Sequence, residues 1–437
     1  RRSVARGMRA VAADPSPFAQ LSAIALLTAP EPAVLDAAFG QLASSKRVDV
    51  PLRQHVEELY ASRCAACRSP VVVDQFIWPR DADAPGRKIY RCASCDASVG
   101  GAEDRVAPVD QVDLAKLGIE RPADGADEPA GDAPPDELPP APVGLTEGDP
   151  ADDEALGEGG EPPPPAPLAV DPPTPASERP RFASTVRPDP VPVAAADGLR
   201  QSAQYLELRA RFPVLDGRDD LVEEVLDLFT PRNLYALHVI GAKIESELRD
   251  PGTIAVMRLA LATSLLPSSR LNGYPGRVAS LRITGGHVRQ PASRHQREVN
   301  VWRAFEQSYR DVRAAVGAAA DPRHEVRFAA DYGELGGMGA ANVLWLRCRP
   351  SVVGQYLPGE AIDLVIGAPP QGANIDELSF EYLATAWVLG REAAETLRLE
   401  PIFGAGAHPE GAEATALRHG LASAVGALKP GGWCNLL

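Results

Sequence analysis

Four of the six cysteines stand in two pairs with two-residue spacing, Cys64-Ala-Ala-Cys67 and Cys92-Ala-Ser-Cys95. This spacing lets both thiolates of a pair point at one ion, and two pairs complete a tetrahedron of sulfur ligands. The 24 residues between the pairs are slightly more than the usual spacer, which a longer hairpin would absorb. Four sulfur ligands leave no open position, so we predict a structural zinc ion. The alternative interpretation is a redox-active pair.

A second chemical signal is Asp14, which follows a short apolar run over residues 9–13 and precedes Pro15. The run is typical of a buried strand that ends in a turn. A carboxylate at the carboxyl end of a strand in an open α/β sheet lies where such sheets bind ligands, and it commonly accepts hydrogen bonds from ribose hydroxyls. The alternative is a capping role for a helix that starts near Pro17.

The last hundred residues contain a further strand signal at 362–366, which ends in Ala368-Pro369-Pro370-Gln371. Leu428-Lys-Pro-Gly-Gly-Trp433 then reads as a helix end, a tight turn and another strand. Cys348 and Cys434 stand in apolar strand-like runs, so we predict that both are buried thiols.

The bulk composition separates an acidic segment from the rest of the chain. The formal charge is −15, but residues 121–178 hold 15 Asp and Glu and a single base, Arg121. Residues 105–198 are dominated by Pro, Ala, Asp, Glu and Gly, which predicts a disordered linker. No run of 18 apolar residues or signal peptide is visible, and the cysteine usage fits a reducing compartment, so we expect a cytoplasmic protein without a membrane span.

The elements that must position these residues follow from apolar periodicity and breakers. Helices are expected at 18–27, 33–42 and 52–61, a hairpin between the cysteine pairs, and a mostly helical region over 200–320 in which Thr230-Pro231 starts a helix. Strands at 342–346 and 362–366 and helices at 377–398 and 411–428 follow. Because strand and helix alternate at both ends and the middle differs, we predict an α/β domain with large insertions.

In this order the motifs resemble the adenine-specific DNA methylases that contain a zinc ribbon. The segment 7–19, with Asp14-Pro-Ser-Pro, is similar to the second motif of that family. Phe229-Thr-Pro-Arg-Asn233 resembles the start of its helical region, Glu298-Val-Asn-Val-Trp302 a later segment, and Leu428-Lys-Pro-Gly-Gly its last turn.

The resemblance implies a Rossmann-like class I methyltransferase sheet that transfers a methyl group from S-adenosylmethionine to the exocyclic amino group of adenine in DNA. The target base would have to leave the stack. Asp14 would contact the cofactor ribose, and the motif at 368–371 would hold the base. Here Ala368 replaces the family's polar Asp or Asn, and Gln371 replaces its aromatic residue. Since the chain also lacks the family's glycine-rich loop before residue 9, we interpret it as a truncated, catalytically degenerate relative.

DNA is the expected partner. Residues 270–313 contain nine arginines and three acidic residues, with aromatic residues interspersed, and such a stretch can neutralise phosphates. The expected contacts are Arg270, Arg277, Arg282, Arg289, Arg294 and Arg297. A solvated arginine-rich helix face is the alternative.

The sequence therefore predicts five regions. They are residues 1–60 and 341–437 as two parts of the α/β domain, 61–104 as the zinc ribbon, 105–198 as the linker and 199–340 as a helical insert. Two functions stay open: a DNA methyltransferase-like protein with impaired activity, and a non-catalytic DNA-binding or scaffold protein that keeps the fold.

Overall fold

The structure, a computed structural model, describes residues 8–47, 49–80, 82–99, 103–116, 202–215, 219–291, 293–319, 325–336, 341–367, 375–403 and 412–436. All of these belong to one contact unit, made of residues 1–120 and 192–437. The described part is a mixture of α-helices and β-strands, as the sequence predicts.

The first part of the chain alternates helices and short strands and then forms the hairpin between the cysteine pairs. Its elements are β1 (Ala10–Ala13), α1 (Pro17–Thr28), α2 (Pro32–Ser44), β2 (Lys46–Arg47), β3 (Val50–Pro51), α3 (Leu52–Glu58), β4 (Ala61–Arg63), β5 (Pro70–Pro79), β6 (Arg87–Tyr90), α4 (Ala93–Val99), β7 (Arg105–Pro108) and α5 (Gln111–Ala115).

The second part is richer in helix. Its elements are α6 (Ala203–Ala210), α7 (Asp219–Leu226), α8 (Pro231–Glu247), α9 (Pro251–Leu265), β8 (Gly273–Tyr274), β9 (Ile283–Thr284), β10 (His287–Val288), β11 (His295–Val299), α10 (Val301–Ala319), β12 (Phe328–Ala329), α11 (Tyr332–Gly336), β13 (Val343–Leu346), β14 (Ile362–Gly367), α12 (Ile375–Leu389), α13 (Arg391–Ala394), α14 (Ala412–Gly426) and β15 (Leu428–Leu436), with 3-10 turns at Pro350–Gln355 and Glu400–Phe403.

Two parallel sheets contain the strands that the sequence assigned to the α/β domain. One has the order β1-β13-β12, and the other pairs β14 with β15. Both rest on one apolar core, in which Val11 of β1, Leu344 of β13 and Ile362 of β14 take part. In the described residues β1 and β14 are not hydrogen-bonded members of one sheet, so the expected single Rossmann-like sheet is not observed as such.

The β14–β15 pair leaves large apolar side chains in solvent. Leu364 is 50% exposed, Ile366 63% and Trp433 77%. Cys434 is exposed as well, although Cys348 is buried as expected. The prediction of a buried Cys434 was wrong because this pair of strands, within the described chain, gains no neighbouring strand to cover it.

An antiparallel sheet surrounds the cysteine hairpin. Its order is β7-β6-β5-β11-β8, and β4 pairs with the first half of β5. The sequence did not predict β11, which comes from the region expected to be helical. It pairs with β5 from His295 opposite Pro79 to Val299 opposite Gln75. The hairpin and the helical region therefore share one sheet.

Several helices begin where the sequence predicts. Ser16 caps α1 by accepting a hydrogen bond from the backbone N–H of Ala19, with Pro17 in the first turn. Thr230 caps α8 in the same way. The single helix expected over 377–398 is divided, because Gly390 adopts a φ of 89°, which ends α12 before α13 begins.

Residues 105–116 are not part of a linker. They form β7 and α5, because Ala107 and Leu114 supply apolar side chains that become buried. The rest of the predicted linker, 117–198, lies outside the described residues. No single described helix is long and apolar enough to cross a membrane. Among these helices, only α1 and α2 taken together reach that length and apolarity, and they are bent by 119° relative to each other.

Candidate metal centre and ligand edge

The two cysteine pairs lie at strand ends of the antiparallel sheet, the first in the turn between β4 and β5 and the second at the start of α4, which contains Cys95. Cys64 follows β4 and Cys92 follows β6. The backbone N–H of Arg68 donates to the Cys64 carbonyl at 3.0 Å, and the N–H of Asp96 donates to the Cys92 carbonyl at 2.8 Å. These tight turns direct the side chains of both pairs toward a common point.

The four sulfur atoms are close enough to share one ion. Cys64 Sγ lies 3.8 Å from Cys95 Sγ, and Cys67 Sγ lies 3.5 Å from Cys92 Sγ. All four lie within 4.8 Å of one another. A tetrahedral zinc ion with Zn–S bonds of about 2.3 Å keeps its sulfur atoms about 3.8 Å apart. The Cys64, Cys67, Cys92 and Cys95 cluster is therefore compatible with a structural zinc ion, as predicted.

The surroundings favour a thiolate at Cys64. Burial acts to raise the pKa of this thiol, but hydrogen bonds from backbone N–H groups at Cys67 and Ala66 and from the Tyr90 hydroxyl lower it to about 6. The Tyr90 hydroxyl, 3.6 Å from Cys64 Sγ, also accepts the backbone N–H of Ala65 at 2.9 Å. Thiolate is the form that binds metal, so these donors prepare the ligand.

A buried lysine supports the hairpin beneath the cysteines. Lys88 Nζ lies 2.7 Å from Asp113, 3.0 Å from Asp110 and 2.7 Å from the Ser62 hydroxyl. The Lys88 side chain is fully buried. It links β4, β6 and α5, which explains why residues 105–116 are ordered.

Asp14 occupies the position expected from the sequence, at the carboxyl end of β1. Its Oδ1 accepts the backbone N–H of Ser16 at 2.8 Å. The helix cap is Ser16 rather than Asp14. Asp14 thus shapes the turn with one oxygen, and this single bond leaves acceptor capacity at its carboxylate.

Glu381 of α12 faces the same edge and was not predicted. Burial raises the pKa of Glu381; Ser16 opposes this rise, while the nearby Asp14 and Glu377 carboxylates add to it. Within the described chain Glu381 Oε1 is buried without a hydrogen-bond partner. The sequence signal for this site was the position of Glu381 within a largely apolar helical segment.

The motif at Ala368, Pro369, Pro370 and Gln371 lies outside the described residues. The elements on either side of it are described. They are β14, which ends at Gly367, and α12, which carries Glu381 next to Asp14. The helix after the motif therefore reaches the edge at which Asp14 lies.

The six predicted DNA contacts differ in their exposure and in their partners. Arg282 lies 3.3 Å from Asp376, and Arg289 donates to the Thr284 hydroxyl. Arg297 is half-buried, with its guanidinium 5.2 Å from the Tyr274 ring centroid. Arg270 is only partly exposed, while Arg277 and Arg294 are exposed. None of the six lies in a helix, since Arg297 is in β11 and the other five lie between the named elements.

The most extensive buried polar network was missed by sequence reasoning. Glu298 of β11 accepts two hydrogen bonds from Arg232 of α8, one from Thr230 and one from Trp78 of β5. Two segments that carried the family resemblance, 229–233 and 298–302, thus meet directly. The sequence signal was Glu298, an acidic residue among strand-forming residues. Its partner Arg232 is distant in the sequence, so the pairing could not be predicted.

A third group, Asp220, Glu224 and His287, also brings potential metal ligands together. Glu224 accepts the backbone N–H of Val288 at 2.8 Å and lies 2.8 Å from His287 Nδ1. These exposed contacts fasten the β9–β10 hairpin to α7.

No protein-family model, no curated protein and no solved structure matches the chain.

Proposed function

We propose that this chain is a methyltransferase-like α/β protein that binds S-adenosylmethionine at the edge formed by Asp14 and α12 and acts on DNA. The observation that carries the proposal is the position of Asp14 at the carboxyl end of a parallel strand. At this edge of open α/β sheets, a carboxylate can accept hydrogen bonds from ribose hydroxyls. The resemblance of the motif order to zinc-ribbon DNA adenine methylases supports the choice of cofactor.

In this proposal the zinc ribbon has a structural role, and residues 368–371 would form the pocket for the target base. Ala368 has no side-chain acceptor for the amino protons of adenine, and Gln371 has no aromatic face for the base. Loss of one oriented polar group costs about 10²–10³-fold in rate, and loss of a stacking ring costs about 1–3 kcal/mol. Weak or absent methyl transfer is the expected result for this chain.

Cofactor binding is the direct test. Titration calorimetry with S-adenosylmethionine should give saturable binding to zinc-loaded protein. Asp14→Ala should weaken it by about ten- to a hundredfold, since a hydrogen bond to a charged group contributes about 1.5–3 kcal/mol. Asp14→Asn retains the acceptor for Ser16 and separates loss of the turn from loss of the ribose contact. Asp311→Ala, on the exposed face of α10, is the matched control. Binding that is unchanged in both Asp14 variants would contradict the assignment.

The second candidate is a non-catalytic DNA-binding protein of the same fold, favoured by the residues at 368–371. The variant Ala368→Asp/Gln371→Tyr distinguishes the two. Transfer of labelled methyl groups to DNA by this variant supports the methyltransferase. DNA binding without cofactor binding by the parent chain supports the second candidate.

A further inference from the structure

The two faces of the antiparallel sheet differ in character. One face holds buried residues such as Phe76, Lys88 and Glu298, which are directly opposite neighbours in adjacent strands. Residues that alternate with them point to the other face. That face carries Arg87 of β6 and Arg297 of β11 on either side of Ile77 of β5, which is only 4% exposed. Arg87 is exposed and Arg297 is half-buried, and we call this the open face.

Arg63 belongs to the open face as well. Its neighbour Ser62 lies on the buried face, because its hydroxyl contacts Lys88 Nζ at 2.7 Å. Side chains of successive strand residues point to opposite faces, so Arg63 points away from Lys88. The open face thus presents Arg63, Arg87 and Arg297 along three strands.

The cations of this face have no acidic partners in the described part of the chain. Arg63 and Arg87 are exposed, and no ion pair joins either of them to a described carboxylate. Asp74, at the bulge of β5, is paired with Arg303 of α10. Arg91 and Arg105, by contrast, are paired with Asp104 and Asp96. The open face therefore has positive charge that the described protein does not neutralise.

The Arg297 guanidinium also lacks a hydrogen-bond partner at one of its nitrogen atoms in the described chain. Its Nε is buried without a hydrogen-bond partner among the described residues. Burial lowers the pKa of Arg297, and the electrostatic interaction with the Tyr274 hydroxyl group opposes this effect. The Tyr274 ring centroid lies 5.2 Å from this guanidinium. Guanidinium groups with neighbouring rings on a sheet surface are suited to phosphates and to the faces of bases.

A groove adjoins Arg63 between β4, the Cys64–Cys67 turn and α5. It encloses about 520 Å³ and is lined by Arg63, Arg68, Val112 and Lys116 together with neighbouring residues of β4 and β5. Arg68 is exposed in the turn that holds Cys64 and Cys67. The groove and the open face share Arg63.

We propose that the open face, together with the groove beside Arg63, binds the sugar-phosphate backbone of a nucleic acid strand, with Arg63 and Arg87 on phosphates and Arg297 with Tyr274 beside a base. The inference rests on the nucleic-acid partner of the proposed function, but not on the cofactor. It moves the contact from the 270–313 segment as a whole to the sheet, and it adds Arg63, Arg68 and Arg87, which lie outside that segment.

The test is binding of a labelled 20-nucleotide DNA, single-stranded and as a duplex, by fluorescence anisotropy over a range of KCl concentrations. The variant is Arg63→Gln/Arg87→Gln, which changes two exposed side chains. Each phosphate contact contributes about 0.9 to the slope of log K against log salt for a duplex and about 0.7 for a single strand. The double variant should bind more weakly, with a slope smaller by about 1.8 or about 1.4 respectively.

Arg310→Gln/Arg391→Gln is the matched control, because it removes the same charge from exposed helical sites that are paired with Glu306 and Glu395. Arg63→Lys/Arg87→Lys should retain most of the slope. The inference about this surface would be overturned if Arg63→Gln/Arg87→Gln kept the wild-type affinity and slope, or if the control variant lost as much affinity. Neither result would bear on the proposed function. No DNA binding by the parent chain would remove the partner class itself, and S-adenosylmethionine titration of the same preparations reports on the cofactor independently. A larger slope change with one DNA form identifies the form that the surface binds.

Discussion

Arg232 and Glu298, 66 positions apart in the chain, form a two-pronged buried ion pair. Nε lies 3.0 Å from Oε1 and Nη2 lies 2.8 Å from Oε2. The guanidinium also stands 4.4 Å from the Phe76 ring centroid and 5.2 Å from that of Tyr60. This pair joins α8 of the helical region to the sheet that contains the cysteine hairpin, because β11 and β5 are adjacent strands.

Breaking that pair should destabilise the fold strongly. Glu298→Gln leaves the Arg232 charge buried, and loss of one partner of such a pair costs about 3–5 kcal/mol. Arg232→Met/Glu298→Leu removes both charges and should recover most of the loss. Urea denaturation monitored by circular dichroism measures the free energy of unfolding. Glu395→Gln, at an exposed helical pair, should cost about 0.5 kcal/mol or less. A Glu298→Gln variant that matches this control would contradict the role given to the pair.

The cysteine cluster predicts the metal content of the protein. Plasma mass spectrometry should find one zinc per chain, and Cys64→Ser or Cys92→Ser should abolish stoichiometric binding, since both are buried members of the four-cysteine cluster. Cys434→Ser, at an exposed cysteine far along the sequence, should keep one zinc. Chelation should also lower the melting temperature, because metal binding adds to folding free energy. Equal zinc content in all three variants would exclude the site.

Lys116 predicts a rise of stability with alkaline pH. Burial, followed by the Arg232 charge, lowers its pKa from 10.5 to about 8. Between these values the unfolded chain binds a proton at Lys116 that the folded protein has released, so the free energy of unfolding increases from pH 8 to 10.5. The gain is on the order of 3 kcal/mol. Chemical denaturation at several pH values measures it. Lys116→Met should lack this increment, whereas Lys46→Met, at an exposed position, should retain it.

Glu381 predicts the opposite trend at acidic pH. Burial, reinforced by Asp14, raises the pKa of Glu381 above its ordinary 4.5. The folded protein then holds a proton that the unfolded chain has released, so stability declines as pH rises from 4.5 through the folded pKa. Glu381→Gln should remove this decline and give a higher melting temperature at pH 7. Glu392→Gln, exposed on α13, should have little effect. Scanning calorimetry at pH 4 and pH 7 measures the melting temperatures. If the melting temperature of Glu381→Gln changes with pH as that of the wild type does, the raised pKa of Glu381 is contradicted.

The sequence was sufficient where the signal is local. The spacing of Cys64 and Cys67 predicts a metal site without knowledge of the fold, and Thr230-Pro231 marks the start of α8. It failed at β11, where the buried residues Gln296 and Glu298 are polar. Their burial depends on partners such as Arg232, which only the tertiary structure brings near. Lys88 illustrates the same limit, because a fully buried lysine reads as an exposed one until Asp110 and Asp113 are seen beside it.

Trp433 makes the protein convenient to observe in solution. Of the five tryptophans, Trp78, Trp302 and Trp387 are buried and Trp345 is partly buried, so Trp433 alone stands largely in water. An indole in water emits at longer wavelength than an indole in an apolar core, and iodide reaches it readily. The iodide-quenchable, red-shifted part of the emission should therefore come mainly from β15, and it will register any molecule that settles on the β14–β15 strands without an added label.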